Sequence, residues 1–121
     1  MLQYHLKIDE GDIAPFVLLP GDPDRVPIIA ASWDDAHEVA RSREYVTYTG
    51  TYKGVPITCT STGIGAPSTS IAMEELARCG ATTFIRVGTC GTFLDHIANG
   101  DMAIFDGAVR LDGASRAYAP I

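Results

Sequence analysis

The sequence has few lysines, no long apolar segment and no basic leader, and each shortage excludes a class of protein. Two of the nine basic residues are Lys and the net charge is −6, so the chain lacks the basic face of a nucleic-acid-binding protein. No apolar run approaches the roughly 20 residues of a membrane-spanning helix. The first residues contain no basic segment followed by an apolar core, and we therefore expect no secretory signal and no membrane partner.

Cysteine is also scarce. Cys59, Cys79 and Cys90 are odd in number and form no CxxC pair, unlike the cysteines of a disulfide-stabilised secreted protein. We therefore expect reduced thiols and a cytoplasmic location. An apolar content of 46% and a charged content of 20% over 121 residues are typical of one folded globular domain. Seven of the basic residues are Arg, which favours forked contacts to anions.

Apolar runs that end in glycine-containing turns predict an α/β fold. Phe16 to Leu19 is typical of a strand buried on both faces, and Phe84 to Val87 is typical of a buried strand in which Arg86 is the exception. Residues 67–79 form an amphipathic helix that ends at a glycine, so it joins two parallel strands in a βαβ unit. We expect a twisted mixed, partly parallel sheet flanked by helices, with further strands at residues 102–105 and 109–111.

An antiparallel hairpin is predicted before that helix. Val39 to Arg43 is extended, and Tyr45 to Lys53 alternates β-branched and aromatic residues as strands do. The chain turns at Lys53-Gly54 and returns as a strand from Val55 to Thr60. Taken alone, Arg43 and Glu44 at the start of this hairpin are typical of a solvated charge pair.

The turn after the first strand has the residues of an anion site. Gly21 permits close approach of a ligand to the backbone, Asp22 is a good N-cap, and Pro23 suits the first helical position. Amides at a strand-to-helix junction bind anions, and Arg25 can lean over them. An ordinary βα turn with a capping Asp and a surface Arg is the simpler explanation of this segment by itself.

Arg86 is a cation inside the apolar run that precedes Gly88 and Gly91. A buried guanidinium is costly unless it meets an anion, and its fork matches phosphate oxygens. The two glycines let the chain turn and bring its amides close to a ligand. The strand and its turn therefore indicate a phosphate site, with pairing of Arg86 to a structural carboxylate as an equal alternative.

Three turns together resemble the signatures of the nucleoside phosphorylase-I family. They are Leu19-Pro20-Gly21-Asp22-Pro23-Asp24-Arg25, Ser61-Thr62-Gly63-Ile64-Gly65-Ala66-Pro67-Ser68 and Arg86-Val87-Gly88-Thr89-Cys90-Gly91. The segment Val109-Arg110-Leu111-Asp112-Gly113-Ala114-Ser115 is similar to the uridine phosphorylase branch. Chains of the family continue for about as much length again, so the resemblance implies that residues 1–121 are the N-terminal part of a single nucleoside phosphorylase domain.

The resemblance implies a pentosyltransferase that carries out the reversible phosphorolysis of a pyrimidine nucleoside to free base and ribose 1-phosphate. Nucleoside and inorganic phosphate would be the substrates, no cofactor would be needed, and the enzyme would be a homo-oligomer built from dimers. The family residues that read the base and bind the ribose hydroxyls have no counterpart in this sequence. A separate polypeptide equivalent to the C-terminal half is therefore an expected partner.

The same resemblance assigns site residues by motif position. Phosphate would be bound by Gly21, Arg25, Arg86, Thr89 and, from the neighbouring subunit, Arg43, with Arg25 and Arg86 as catalytic residues. The nucleoside would be bound by Thr89, Cys90, Gly91 and the neighbouring subunit's His5, which by local sequence alone is typical of a solvated histidine. A structural potassium ion would lie at Glu44, Ile64 and Ser68.

Three alternatives stay open. Cys90 stands where uridine phosphorylases commonly carry Thr, and Thr-Cys-Gly resembles the Ser-Cys-Gly of hexameric purine nucleoside phosphorylases, so a purine base is the first alternative. The second is a nucleosidase of the same fold, which uses water and has no need of three arginines aimed at one anion. The third is a non-catalytic fragment or split-subunit half that binds phosphate and a partner.

Overall fold

The computed structural model describes residues 1–120, which form two compact units, Met1–Gly88 and the segment that begins at Thr89. The first unit holds two helices and five strands. They are β1 (Phe16–Leu19), α1 (Arg25–Ala30), β2 (Asp35–Ser42), β3 (Tyr45–Tyr52), β4 (Val55–Thr60), α2 (Ala66–Arg78) and β5 (Thr83–Arg86). The second unit holds one short helix, α3 (Gly113–Tyr118).

The five strands form one sheet in the order β2-β3-β4-β1-β5. β1 pairs in parallel with β4 on one side and with β5 on the other, whereas β2, β3 and β4 pair antiparallel. α2 connects β4 to β5, and β1 lies between these two parallel strands. The expected mixed, partly parallel sheet, its hairpin and its βαβ unit are therefore confirmed.

Alternating side chains of β1 pack on opposite faces of the sheet, as the period of a strand requires. Val17 and Leu19 are buried in the larger apolar cluster, together with Leu76 of α2. Leu18 packs against a smaller cluster that contains Val26 of α1. The two helices therefore cover opposite faces, and β1 is held between them.

Helix α1 begins later than the sequence indicates. Asp24 occupies the N-cap position without a side-chain cap, and the Oδ1 atom of Asp22 accepts a hydrogen bond from the Asp24 amide at 2.9 Å. The Asp22 carboxylate therefore caps the turn that leads into the helix, as expected of this residue, although the regular helix begins two positions after Pro23. Pro27 lies in the first turn of α1, where amides have no intrahelical partner, so it does not interrupt the helix.

β5 lies at the edge of the sheet, and the expectation of a buried strand was wrong. Ile85 is 53% exposed. Phe16, at the start of β1 where that strand pairs with β5, is 46% exposed. Within residues 1–120, β5 pairs with β1 alone. Burial of an edge strand on both faces needs covering layers, which the described residues do not supply for Ile85.

The strands expected at residues 102–105 and 109–111 are not formed. Met102 and Ile104 are 90% and 91% exposed, and an extended segment without a neighbouring strand has no ladder of hydrogen bonds to hold it. The regular element of this unit is α3. Its N-cap, Asp112, accepts a hydrogen bond from the Ser115 amide at 2.7 Å.

A buried carboxylate on α2 holds the N-terminal segment. Glu75 is 5% exposed; its Oε2 accepts a hydrogen bond from the Leu6 amide at 2.8 Å, and both oxygens lie 3.1 Å from the His5 amide nitrogen. Burial acts to raise the pKa of this carboxyl, but the hydrogen bonds from Leu6 and His5 outweigh it and lower the pKa below its ordinary value of 4.5. Glu75 is therefore ionised at neutral pH.

Glu75→Gln is expected to lower the free energy of unfolding by about 2 kcal/mol at neutral pH, since hydrogen bonds to a charged group are weakened. Because the folded-state pKa lies below 4.5, the carboxylate's contribution is complete above pH 4.5 and is lost as the pH falls through the folded-state value. Urea unfolding of both proteins across this range measures the difference. Glu74→Gln, at an exposed position of the same helix, is the control, and a Glu75→Gln penalty that does not change with pH contradicts the assignment.

Candidate functional site

Three turns meet at the carboxyl ends of the parallel strands. The Val87 amide donates to the Leu19 carbonyl at 3.1 Å, which joins the turn after β5 to the turn after β1. The Gly63 amide donates to the Gly21 carbonyl at 2.9 Å, which joins the turn after β4 to the same central turn. Ligands of open α/β sheets bind at this edge. The first two family-like motifs and the part of the third that lies in the first unit therefore come together here.

The guanidinium of Arg86 is anchored at one nitrogen. Its Nη1 atom donates to the carbonyl of Leu19 at 2.9 Å and to the carbonyl of Val87 at 2.7 Å. Its Nε and Nη2 atoms make no hydrogen bond to residues 1–120. The side chain is thus oriented by the backbone while it keeps donors for an anion.

Two glycines make room for this guanidinium. A Cβ atom at Gly21 would lie 3.3 Å from Nη2 of Arg86, and a Cβ atom at Gly88 would lie 3.2 Å from Nη1. Both distances are tighter than ordinary van der Waals contact, so any larger residue would displace the side chain or the turn. The structure therefore brings Gly21 and Arg86 together, as the sequence predicts.

Arg86 differs from the sequence-based expectation in its burial. The residue is exposed, because β5 lies at the sheet edge, so the argument from a buried cation was wrong. The alternative of a structural carboxylate partner is also not observed, since no ion pair of Arg86 forms within the described part of the chain. The anchoring by two carbonyls, and not burial, is what fixes the direction of the guanidinium.

Arg25 and Arg43 are not joined to Arg86 by hydrogen bonds. Arg25 is the half-buried first residue of α1, four positions after Gly21. Arg43 is exposed in the turn between β2 and β3 and has a positive φ of 56°. An exposed arginine on a tight turn is accessible to a neighbouring molecule, and the phosphate-binding roles of both arginines stay predictions.

The residues implied for the nucleoside lie in two places. Thr89, Cys90 and Gly91 open the second unit and are all exposed. His5 lies in the N-terminal segment, where its Nδ1 atom is 2.6 Å from Oε1 of Glu75. The side chain of His5 is 31% exposed, so its ring is accessible, and the nucleoside-binding roles of these residues stay predictions.

The residues implied for a cation converge on Gly63. A Cβ atom there would lie 2.7 Å from Cγ of Glu44 and 3.4 Å from Oγ of Ser68, and Ser68 donates to the Ile64 carbonyl at 3.4 Å. Carboxylate, carbonyl and hydroxyl oxygens suit a hard cation, so the donor set fits. Among residues 1–120, no group of three His, Cys, Asp or Glu side chains is placed to hold a metal ion.

Glu75 is the site-supporting residue that the sequence analysis missed. Glu75 falls beside Ala72, Leu76 and Cys79 in the apolar stripe of α2. A charge within such a stripe must find partners, and that signal was present. Its partners, the amides of His5 and Leu6, are about 70 residues distant in sequence.

The cysteines are free thiols and two of them are buried. Burial raises the pKa of the Cys59 thiol to about 12 and also raises the pKa of Cys79. Raised values disfavour the nucleophilic thiolate, so neither of these residues suits covalent catalysis. None of the helices within residues 1–120 is long and apolar enough to cross a membrane.

Known proteins with sequences similar to this chain are named as nucleoside phosphorylases. A uridine phosphorylase of Thermococcus kodakarensis is 58% identical over 120 residues, which are 99% of this chain and 43% of that protein. A guanosine phosphorylase of Halorubrum lacusprofundi is 44% identical over 98% of this chain and 49% of its own length. The chain thus spans less than half the length of these curated relatives.

A solved structure supports the same relationship. The crystal structure of uridine phosphorylase from Vibrio fischeri, complexed with 6-hydroxy-1-naphthoic acid, matches with a TM-score of 0.92 and 49% identity, over 96% of this chain and 48% of that one. The model of the phosphorylase superfamily matches residues 15–121. The chain therefore belongs to the phosphorylase superfamily.

Proposed function

We propose that this chain is the phosphate-binding half of a nucleoside phosphorylase similar to uridine phosphorylase. The observation that carries the proposal is the anchored guanidinium of Arg86, which faces Gly21 and keeps Nε and Nη2 for an anion. The relatives named uridine phosphorylase support this reading. The reaction is the reversible phosphorolysis of a pyrimidine nucleoside to free base and ribose 1-phosphate.

The mechanism depends on the position and charge of phosphate. As the bond between C1′ and the base nitrogen lengthens, positive charge develops on the ribosyl centre, and the bound phosphate stabilises it and forms the new bond to C1′. The departing base takes up the electron pair of the broken bond and a proton. Arg86, Arg25 and Arg43 of the partner subunit hold the phosphate, so catalysis rests on orientation and electrostatics without a covalent nucleophile.

The remaining roles follow the family positions. Gly21 and Thr89 contribute to the phosphate site, and Cys90, Gly91 and the partner subunit's His5 contact the nucleoside. A potassium ion at Glu44, Ile64 and Ser68 supports a dimer interface within a homo-oligomer. The free thiols suit a cytoplasmic protein. The guanosine phosphorylase among the relatives makes a purine nucleoside the second candidate substrate.

The chain covers less than half of its relatives, and this favours a split or partial subunit. Base recognition and ribose orientation then depend on a polypeptide equivalent to the rest of those proteins. The alternative of a nucleosidase is less favoured, because a water-using enzyme has no need for donors aimed at an anion.

Arg86→Ala should weaken the binding of inorganic phosphate at least tenfold. The variant loses charge-assisted hydrogen bonds worth about 1.5–3 kcal/mol. Isothermal titration of the chain with phosphate measures the effect. Arg78→Ala removes the same charge from an exposed position on α2 and should change the affinity less than twofold. Equal affinities of the two variants would refute the phosphate site.

The chain alone should bind phosphate and show no measurable phosphorolysis of uridine, because loss of substrate orientation removes many orders of magnitude in rate. Addition of a polypeptide equivalent to the C-terminal half of the relatives should restore turnover, which is measured as the release of uracil. Arg86→Ala should then abolish turnover and leave assembly intact. Turnover by the 121-residue chain, at verified mass and without a partner, would show that the chain needs no second half.

A further inference from the structure

The ring of His5 has one nitrogen in use and one accessible. Nδ1 lies 2.6 Å from Oε1 of Glu75, and the Tyr4 ring stands edge-on to the imidazole with the ring centres 4.9 Å apart. Within residues 1–120, Nε2 makes no hydrogen bond, and the side chain is 31% exposed. Since no buried side-chain nitrogen of the described residues lacks a hydrogen-bond partner, Nε2 is the ring nitrogen that stays accessible.

Glu75 can act only as an acceptor in this arrangement. Its two oxygens already face the amide hydrogens of His5 and Leu6, and a protonated carboxyl would place a hydrogen against one of those donors. On the same helix, Arg78 pairs with Glu74 at 3.7 Å. Tyr45, a titratable group that lies near Glu75, donates its hydroxyl hydrogen to the Ser68 carbonyl.

An acceptor at 2.6 Å requires a hydrogen on Nδ1. We propose that Glu75 is a positioning residue that fixes His5 as the Nδ1–H tautomer, so that Nε2 of the neutral ring accepts a hydrogen bond from a hydroxyl group of the nucleoside. The inference rests on the proposed nucleoside-binding role of His5. It adds the residue that orients His5 and the direction of the hydrogen bond.

The tautomer determines which ligand group His5 takes. A neutral ring with an unprotonated Nε2 accepts from a sugar hydroxyl and repels the lone pairs of a phosphate or carbonyl oxygen. The opposite tautomer would donate to those oxygens. The amides of His5 and Leu6 donate to the same carboxylate and hold the backbone of His5 in place. Glu75 therefore sets both the orientation and the tautomer of the His5 ring.

Nitrogen NMR of the 15N-labelled chain tests the proposal directly. Long-range proton–nitrogen spectra recorded at neutral pH distinguish the two tautomers from each other and from the doubly protonated ring, and His5→Asn identifies the His5 signals among the three histidines. We expect His5 to show a protonated Nδ1 and an unprotonated Nε2. Glu75→Gln should shift the ring towards the Nε2–H form, whereas Glu74→Gln should leave the spectrum unchanged. A wild-type ring that carries a hydrogen on Nε2, in the other tautomer or in the doubly protonated form, overturns the proposal.

The second measurement is the kinetics of the two-part enzyme, which is this chain together with a polypeptide equivalent to the C-terminal half of the relatives. Glu75→Gln should raise KM for uridine at least tenfold and change KM for phosphate less than twofold, with Glu74→Gln altering neither. An unchanged KM for uridine overturns the role of Glu75. If the two-part enzyme does not turn over, the proposed function fails, and the spectra of the chain alone still decide the tautomer.

Discussion

The parallel pairing of β1 with both β4 and β5 is the constraint on which the candidate site depends. It places the carboxyl-terminal ends of these three strands side by side, and main-chain hydrogen bonds then join the turns that follow the strands. Because of this pairing, Arg86 donates a hydrogen bond to the carbonyl of Leu19, which is 67 residues earlier in the chain. A guanidinium already held by backbone atoms loses little further freedom when an anion binds, which is how preorganisation favours binding.

The parts of the site that the sequence predicts are those with local signals. Gly21 lies just after an apolar strand and Arg86 is the last residue of another, and the rule that parallel strands end at one edge was enough to bring them together. No such rule predicts the contacts of Glu75, because its partners lie in the N-terminal segment and only the fold brings them to α2. Its place in an apolar stripe indicates burial, but no sequence pattern indicates what it meets.

Burial itself was predicted less well than the elements. The apolar residues of β5 and of residues 102–105 were expected to be covered, yet Ile85, Met102 and Ile104 are exposed. Hydrophobicity predicts that a side chain favours contact with other apolar groups, and it does not name the partner. The expectation that Arg86 is a buried cation was wrong for the same reason, whereas its role in phosphate binding stays a prediction.

The structure of this chain with bound phosphate tests the central claim most directly. We expect a phosphate oxygen within hydrogen-bond distance of Nε or Nη2 of Arg86 and of the Gly21 turn, with Arg25 on the same side. Nη1 should keep its bonds to the carbonyls of Leu19 and Val87. Phosphate bound away from this edge, or Arg25 and Arg86 directed to opposite faces of the sheet, would contradict the account.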